Sequence, residues 1–271
     1  MTAVGSISEV GYTSMLTRDL GASMRNAADM FGLIDTASNG KKAFFTAQNK
    51  HHEVVYTQSD RDGIDHIGLV VPNSLELAAI RAKVDEGGYK IVSENPIEDY
   101  IEEGFAFVGP EGYTWQIYTE KLSYSMLKRG TLTADRLGHV NIQVVDAPAQ
   151  VRFLQDVFNM HISDAIGNEH FFLRCNTDHH GVAVFTSDSA KMHHHAWQAG
   201  NIMDLARLGD RLARKGARLA WGPVRHGAGD NIAVYYVEPN GVVTEYYCDM
   251  ETIRDPERPT RHFDPDDLYW I

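Results

Sequence analysis

An internal repeat constrains this chain more than any other feature of its 271 residues. The stretch LGHVNIQVVDAPAQVRFLQDVFNM from Leu137 aligns with VGYTSMLTRDLGASMRNAADMFGL from Val10. MHHHAWQA from Met192 lies over IDHIGLVV from Ile64, and EPNGVVTEYY from Glu238 over GPEGYTWQIY from Gly109. The separations are 127 for Tyr12 and His139, 128 for His66 and His194, and 129 for Gln116 and Glu245. A copied unit implies that one supersecondary plan serves both halves. In each half, short alternating runs followed by helical spacing read as strand–helix–strands, twice over. The spacing predicts second-half helices over 147–158 and 202–215, the latter closing at Gly216, and strands over 139–144, 171–175, 182–185, 231–237 and 243–248. The expected class is α+β, with one copy over 1–121, a join near 122–135 and a second copy over 135–250. The charged, Pro-rich stretch 251–271 reads as an extension or flap outside the core.

Composition narrows the partners. A formal net charge of −12 argues against a nucleic-acid or anionic-membrane surface, which needs clustered Lys and Arg. Hydrophobic residues at 43% and charged residues at 23% suit a water-soluble globular chain, and no run nears the roughly 20 apolar residues of a membrane span. Cys175 and Cys248 read as free core thiols in a reducing compartment. With no basic, apolar leader at the N-terminus, the expected location is cytoplasmic. The unusual quantity is 13 histidines, several paired or tripled.

A difference between the copies points to the chemistry. Where the second carries His139, His194 and Glu245, the first carries Tyr12, His66 and Gln116. Two imidazoles and one carboxylate make a facial ligand set that leaves positions open on a six-coordinate metal. The first copy, short of one imidazole and the carboxylate, is not expected to hold metal well. A lone histidine near a strand end is more often a surface or capping group; three candidate ligands at equivalent points of a repeat outweigh that. In MHHHAW, a strand would turn His193 and His195 away from the face of His194.

The stretches LGHVNIQV, FFLRCNTDHHGVAVF, HHHAW and RHGAGDNIAVYYVEPNGVVTEYY resemble the catalytic half of the type I extradiol ring-cleavage dioxygenases, of the vicinal oxygen chelate superfamily. The resemblance implies two tandem domains, each of two βαβββ modules whose mixed sheet curves around a central cavity. It implies His139, His194 and Glu245 as ligands of iron(II), with manganese(II) possible for the same donors. It implies His180 as the acid–base group beside O₂, His226 and Tyr235 as groups on the substrate hydroxyl, and Asn141 as a supporting residue. His179 is expected in the pocket wall; Phe172 has two roles open to it, facing the substrate ring or filling the core. The pair His51 and His52, at offset 128 from His179 and His180, shows that ancestry alone accounts for part of that pattern. The implied partners are a small aromatic diol and O₂, in a homo-oligomer.

Rival readings are a glyoxalase-like isomerase of the same superfamily, a 4-hydroxyphenylpyruvate-type dioxygenase and a metal-free aromatic- or drug-binding protein. The first takes a fourth protein ligand that Gln116 does not offer, the second has a C-terminal signature with no match here, and the third dispenses with the metal set.

Overall fold

The structure is a computed structural model that describes residues 4–125 and 134–264. Most of the expected join and the end of the expected extension, residues 126–133 and 265–271, lie outside the described residues. The first half runs β1 (Glu9–Thr17), α1 (Leu20–Phe31), β2 (Ile34–Ser38), β3 (Lys42–Thr46), β4 (Val54–Gln58), β5 (Gly63–Val70), α2 (Ser74–Glu86), β6 (Lys90–Ser93), β7 (Gly104–Val108) and β8 (Thr114–Tyr118). The second half repeats it as β9 (Arg136–Val144), α3 (Ala147–Phe158), β10 (His161–Ile166), β11 (His170–Arg174), β12 (Val182–Thr186), β13 (Lys191–Gln198), α4 (Ile202–Arg214), β14 (Trp221–Arg225), β15 (Ile232–Val237) and β16 (Val243–Cys248).

Each half is one mixed sheet, ordered β2-β3-β4-β1-β5-β8-β7-β6 and, with a short C-terminal β17 (Arg261–Phe263), β14-β15-β16-β13-β9-β12-β11-β10-β17. The first strands of the two modules meet antiparallel at the centre, and each pairs parallel with the last strand of its own module. The helix caps keep the repeat: Asp19 and Asp146 cap α1 and α3, Asn73 and Asn201 cap α2 and α4, each side-chain oxygen accepting from a first-turn amide. Helix α4 buries Leu205, Leu208 and Leu212, the stripe expected of a helix lying on a sheet.

Helices lie between the sheets, α1 against α4 and α2 against α3. Phe31 of α1 stacks near Trp197 of β13 at 6.0 Å, tying the two halves into one core. Polar contacts cross the seam too: Leu137 N donates to Glu53 at 3.0 Å, Tyr56 Oη to Glu238 at 3.1 Å and Tyr236 Oη to Asn26 at 3.1 Å.

The spacing foresaw neither β10 nor β14. In β10 the run HISDAI carries a buried aspartate, and β14 breaks register between Trp221 and Val224 around a Gly-Pro pair. The C-terminal stretch also departs from expectation: part of it forms β17 (Arg261–Phe263), parallel to β10 at the sheet edge.

Candidate metal centre

Strands β9 through β16 each send at least one side chain into a single cavity, so the second sheet wraps around it. On its floor stand His139 from β9, His194 from β13 and Glu245 from β16. Their strands are neighbours, and the register sets Ala196 opposite both His139 and Glu245. The three side chains are buried and their donor atoms converge. Nε2 of His194 and of His139 lie 3.0 and 3.2 Å from Glu245 Oε2, and 3.3 Å from each other. An ion about 2.1 Å from three donors at right angles separates them by roughly 3.0 Å, so the cradle fits a divalent cation. Burial pulls the His194 imidazole down to about 3, so it stands neutral with a lone pair to give. Burial also pushes Glu245 upward, but His139 and His194 outweigh it and hold the carboxyl well below its usual range.

Local features aim these groups. Asn231, unforeseen in the sequence, donates from Nδ2 to Glu245 Oε1 at 3.0 Å, which leaves Oε2 to the histidines. Gly138 lets Tyr247 cross β9: a Cβ there would meet the Tyr247 hydroxyl at 1.8 Å, and the Tyr247 ring lies 5.1 Å from His139. In β13 the register against β9 slips between Met192 and His194, placing an extra residue at His193. His193 therefore lines the cavity beside His194, Nδ1 to Nδ1 at 2.6 Å, contrary to the outward orientation expected for it. His195 does turn away, meeting Glu238 at 3.0 Å and accepting from Trp197 Nε1 at 3.1 Å.

Two other acid–histidine clusters already carry their own cations. Asp65 and Glu98 sit at opposite nitrogens of His66, at 3.0 and 3.5 Å, so one ion cannot be held by both through that ring, and Lys42 occupies Glu98 at 2.6 Å. Asp164, His179 and Glu251 are closed by Arg258 and Arg261, with guanidinium–carboxylate distances of 2.6 to 3.2 Å.

Around the floor stand the other expected residues. His180 and Phe172 line the cavity, with the His180 ring 4.2 Å from His139 and 5.1 Å from Phe172. His179 does not line it: it lies behind His180, fully buried, because the two adjacent rings stand perpendicular. His179 Nδ1 is 2.9 Å from His180 Nδ1, and its Nε2 is 2.9 Å from Asp164 Oδ2, off the line of a good hydrogen bond. The carboxylate favours the proton on His179 Nε2; Nδ1 then accepts from His180, leaving His180 Nε2 the free lone pair. His226 Nε2 and the Tyr235 hydroxyl are 2.7 Å apart; burial lowers the imidazole and raises the phenol, so both are neutral. Asn141 is buried at the cavity with neither side-chain amide atom bonded, a costly state unless a ligand satisfies it. Beyond these, Ile166, Ala183, Phe185, Trp221 and Ala228 complete the lining. Asp164 and Ile166 escaped notice with β10, and Trp221 with β14.

Comparison with known proteins adds the family. Residues 136–246 match the profile of the Glyoxalase/Bleomycin resistance protein/Dioxygenase superfamily, and the crystal structure of the Mn(II)-bound glyoxalase from Novosphingobium aromaticivorans superposes with a TM-score of 0.90 at 29% identity, covering 96% of this chain and 88% of that one. The chain is similar to this superfamily, in profile over its second half and in fold over nearly its whole length. Among its curated relatives, biphenyl-2,3-diol 1,2-dioxygenase of Paraburkholderia xenovorans (strain LB400) is 23% identical, covering 96% of this chain and 94% of that protein. Metapyrocatechase 2 of Cupriavidus necator is 25% identical over 66% of this chain, a match that spans only 62% of the relative's length. A superfamily of isomerases, resistance proteins and dioxygenases shares its sheet and divides by what stands in the cavity, so the residues described above carry the functional argument.

Proposed function

We propose that this chain is an extradiol dioxygenase that opens the ring of an aromatic diol with O₂, its metal held by His139, His194 and Glu245. The observation that carries the reading is the convergence of those three donors, 3.0 to 3.3 Å apart, in a cavity that His180, His226, Tyr235 and Asn141 also border. Iron(II) is the proposed ion, with manganese(II) suited to the same donors. Bound there, it supplies Lewis acidity toward the diol oxygens and the one-electron steps that let a closed-shell ring react with O₂.

The side chains do the rest. The Asn141 amide, unpartnered and facing the cavity, is placed to take a hydrogen bond from or to the diol. The His226–Tyr235 pair orients the substrate hydroxyl and receives its proton on the imidazole. His180, with Nε2 bare, takes up a proton and returns it to oxygen as the O–O bond breaks. His179 and Asp164 fix the His180 tautomer without touching substrate. The balance is C₆H₆O₂ + O₂ → C₆H₆O₄ for catechol itself. The carbon–carbon bond beside the diol breaks, one oxygen atom ending in a carboxyl group and the other in a carbonyl. The reading divides the chain into a non-catalytic first repeat, a catalytic second one and a C-terminal strap, and carries homo-oligomerisation with it.

The test is anaerobic loading with iron(II), metal analysis, then air and a panel of catechols with the absorbance of the yellow ring-opened product followed. One metal per chain and colour that vanishes in His139→Ala and Glu245→Ala support the proposal. Tight metal binding with no ring opening across the panel favours the isomerase reading that the manganese glyoxalase neighbour represents. No metal bound sinks both.

A further inference from the structure

The cavity has two chemically different ends. One is the polar floor just described. At the other, Ile166, Phe172, Ala183 and Ala228 form one buried apolar cluster with Phe185 and Phe263 packed against it. Trp221 stands at the rim, 42% exposed and stacked on Tyr235 at 5.1 Å. Among the described residues no Lys or Arg lines the cavity. The strap arginines are already matched: Arg258 and Arg261 divide their guanidinium contacts between Asp164 and Glu251. Imidazoles border the apolar end: His170 lies 4.3 Å and His193 6.1 Å from the Phe185 ring, His180 lies 5.1 Å from Phe172, and His193 Nδ1 is engaged by His194.

We infer that the diol accepted here carries an uncharged apolar substituent, alkyl or aryl, and that catechols bearing a carboxylate are rejected. The inference rests on the ring-cleavage reading for the orientation of the diol, which sets its hydroxyls on the floor and its substituent among Ile166, Phe172 and Phe185. A carboxylate there exchanges water for hydrocarbon with no Lys or Arg among the described lining residues to meet it, so its desolvation is poorly compensated. The negative field of a chain with net charge −12 adds to it. A methyl or phenyl group in the same place gains contact with the aromatic edges. Discrimination of this kind comes from what the pocket withholds from the wrong ligand as much as from what it offers the right one.

The test uses a matched pair: a catechol with an acetate side chain, and the methyl ester of the same compound. Binding of each to the iron(II)-loaded protein is measured anaerobically by calorimetry, and ring opening is followed after air is admitted. The expected result is at least about tenfold tighter binding of the ester, with the same ordering in kcat/KM. Phe185→Arg, which adds a guanidinium to the apolar end at a partly exposed position, should erase or invert that preference, whereas Phe185→Leu should keep it. Equal or tighter binding of the acid by the native protein overturns the inference and leaves ring cleavage standing if either compound is opened. Preferential binding of the ester with no ring opening upholds the apolar site and overturns the cleavage reading. Binding of neither overturns both.

Discussion

At the scale of single residues, the site is a competition for the lone pairs of one carboxylate. Asn231 holds Glu245 Oε1 while both histidines converge on Oε2. Asn231→Ala frees the carboxylate to rotate, and metal affinity is expected to fall about 10- to 100-fold with the fold intact, as competition with a metal-binding dye would measure. Glu245→Gln removes a charge as well as a ligand, so metal content after desalting should drop to background. The two cysteines supply a different prediction. Burial pushes Cys175 up to about 12 and Cys248 up to about 11, so almost no thiolate exists at pH 8. Both should resist iodoacetamide in the native state and react once the chain is unfolded, as mass spectrometry would count. The three converging side chains were legible in the sequence because a repeat with a nearly constant offset exposes what one copy has that the other lacks. Asn231 was not, because its first-half counterpart carries no signal and its partner is reached only through the pairing of β15 with β16.

At the scale of elements, the register slip in β13 and the C-terminal strap are what sequence patterning could not supply. Period-two alternation assumes an unbroken ladder; the extra residue at His193 is set by how β13 meets β9, a long-range fact. Removing His193 altogether should close the bulge with His194 still opposite Asn141, and His193→Ala should leave it open, so both variants should keep most of their metal, as metal analysis would show. The strap is held by charge. Burial raises the Asp164 carboxyl, but His179 and Arg261 outweigh it and leave it well below the usual carboxylate range. A depressed folded value means the contribution is whole above about pH 4, where the unfolded carboxylate titrates, and is lost as pH falls through the folded value. Exchange of the Gly167 amide, which donates to Phe263 at 3.1 Å, should stay slow to about pH 4 and quicken below it. The Arg258→Ala/Arg261→Ala variant should quicken it at neutral pH and lower kcat about tenfold with metal content unchanged.

At the scale of the whole molecule, the two halves share one core. Phe31, Trp197, Tyr236 and Tyr246 interleave across the boundary, Phe31 lying 5.3 to 6.0 Å from the other three rings. Trp197→Ala should cost about 3–5 kcal/mol and lower the stability of both halves together, seen as one thermal transition moving as a unit. The α+β plan and its duplication could be read from spacing because every module reuses the same alternation and caps; that the helices meet between the sheets could not, since an apolar stripe says that a helix is covered and not by what. The ion pair between Lys42 and Glu98 in the first half has a last consequence. That half keeps a cationic nitrogen of its own covalent chain against the acid that stands beside His66, the counterpart of His194. Half of the molecule thus has its charges balanced from the moment of synthesis, and the shared core lends that solidity to the other half. The metal-free chain should therefore stay folded, with one cooperative thermal transition surviving exhaustive chelation.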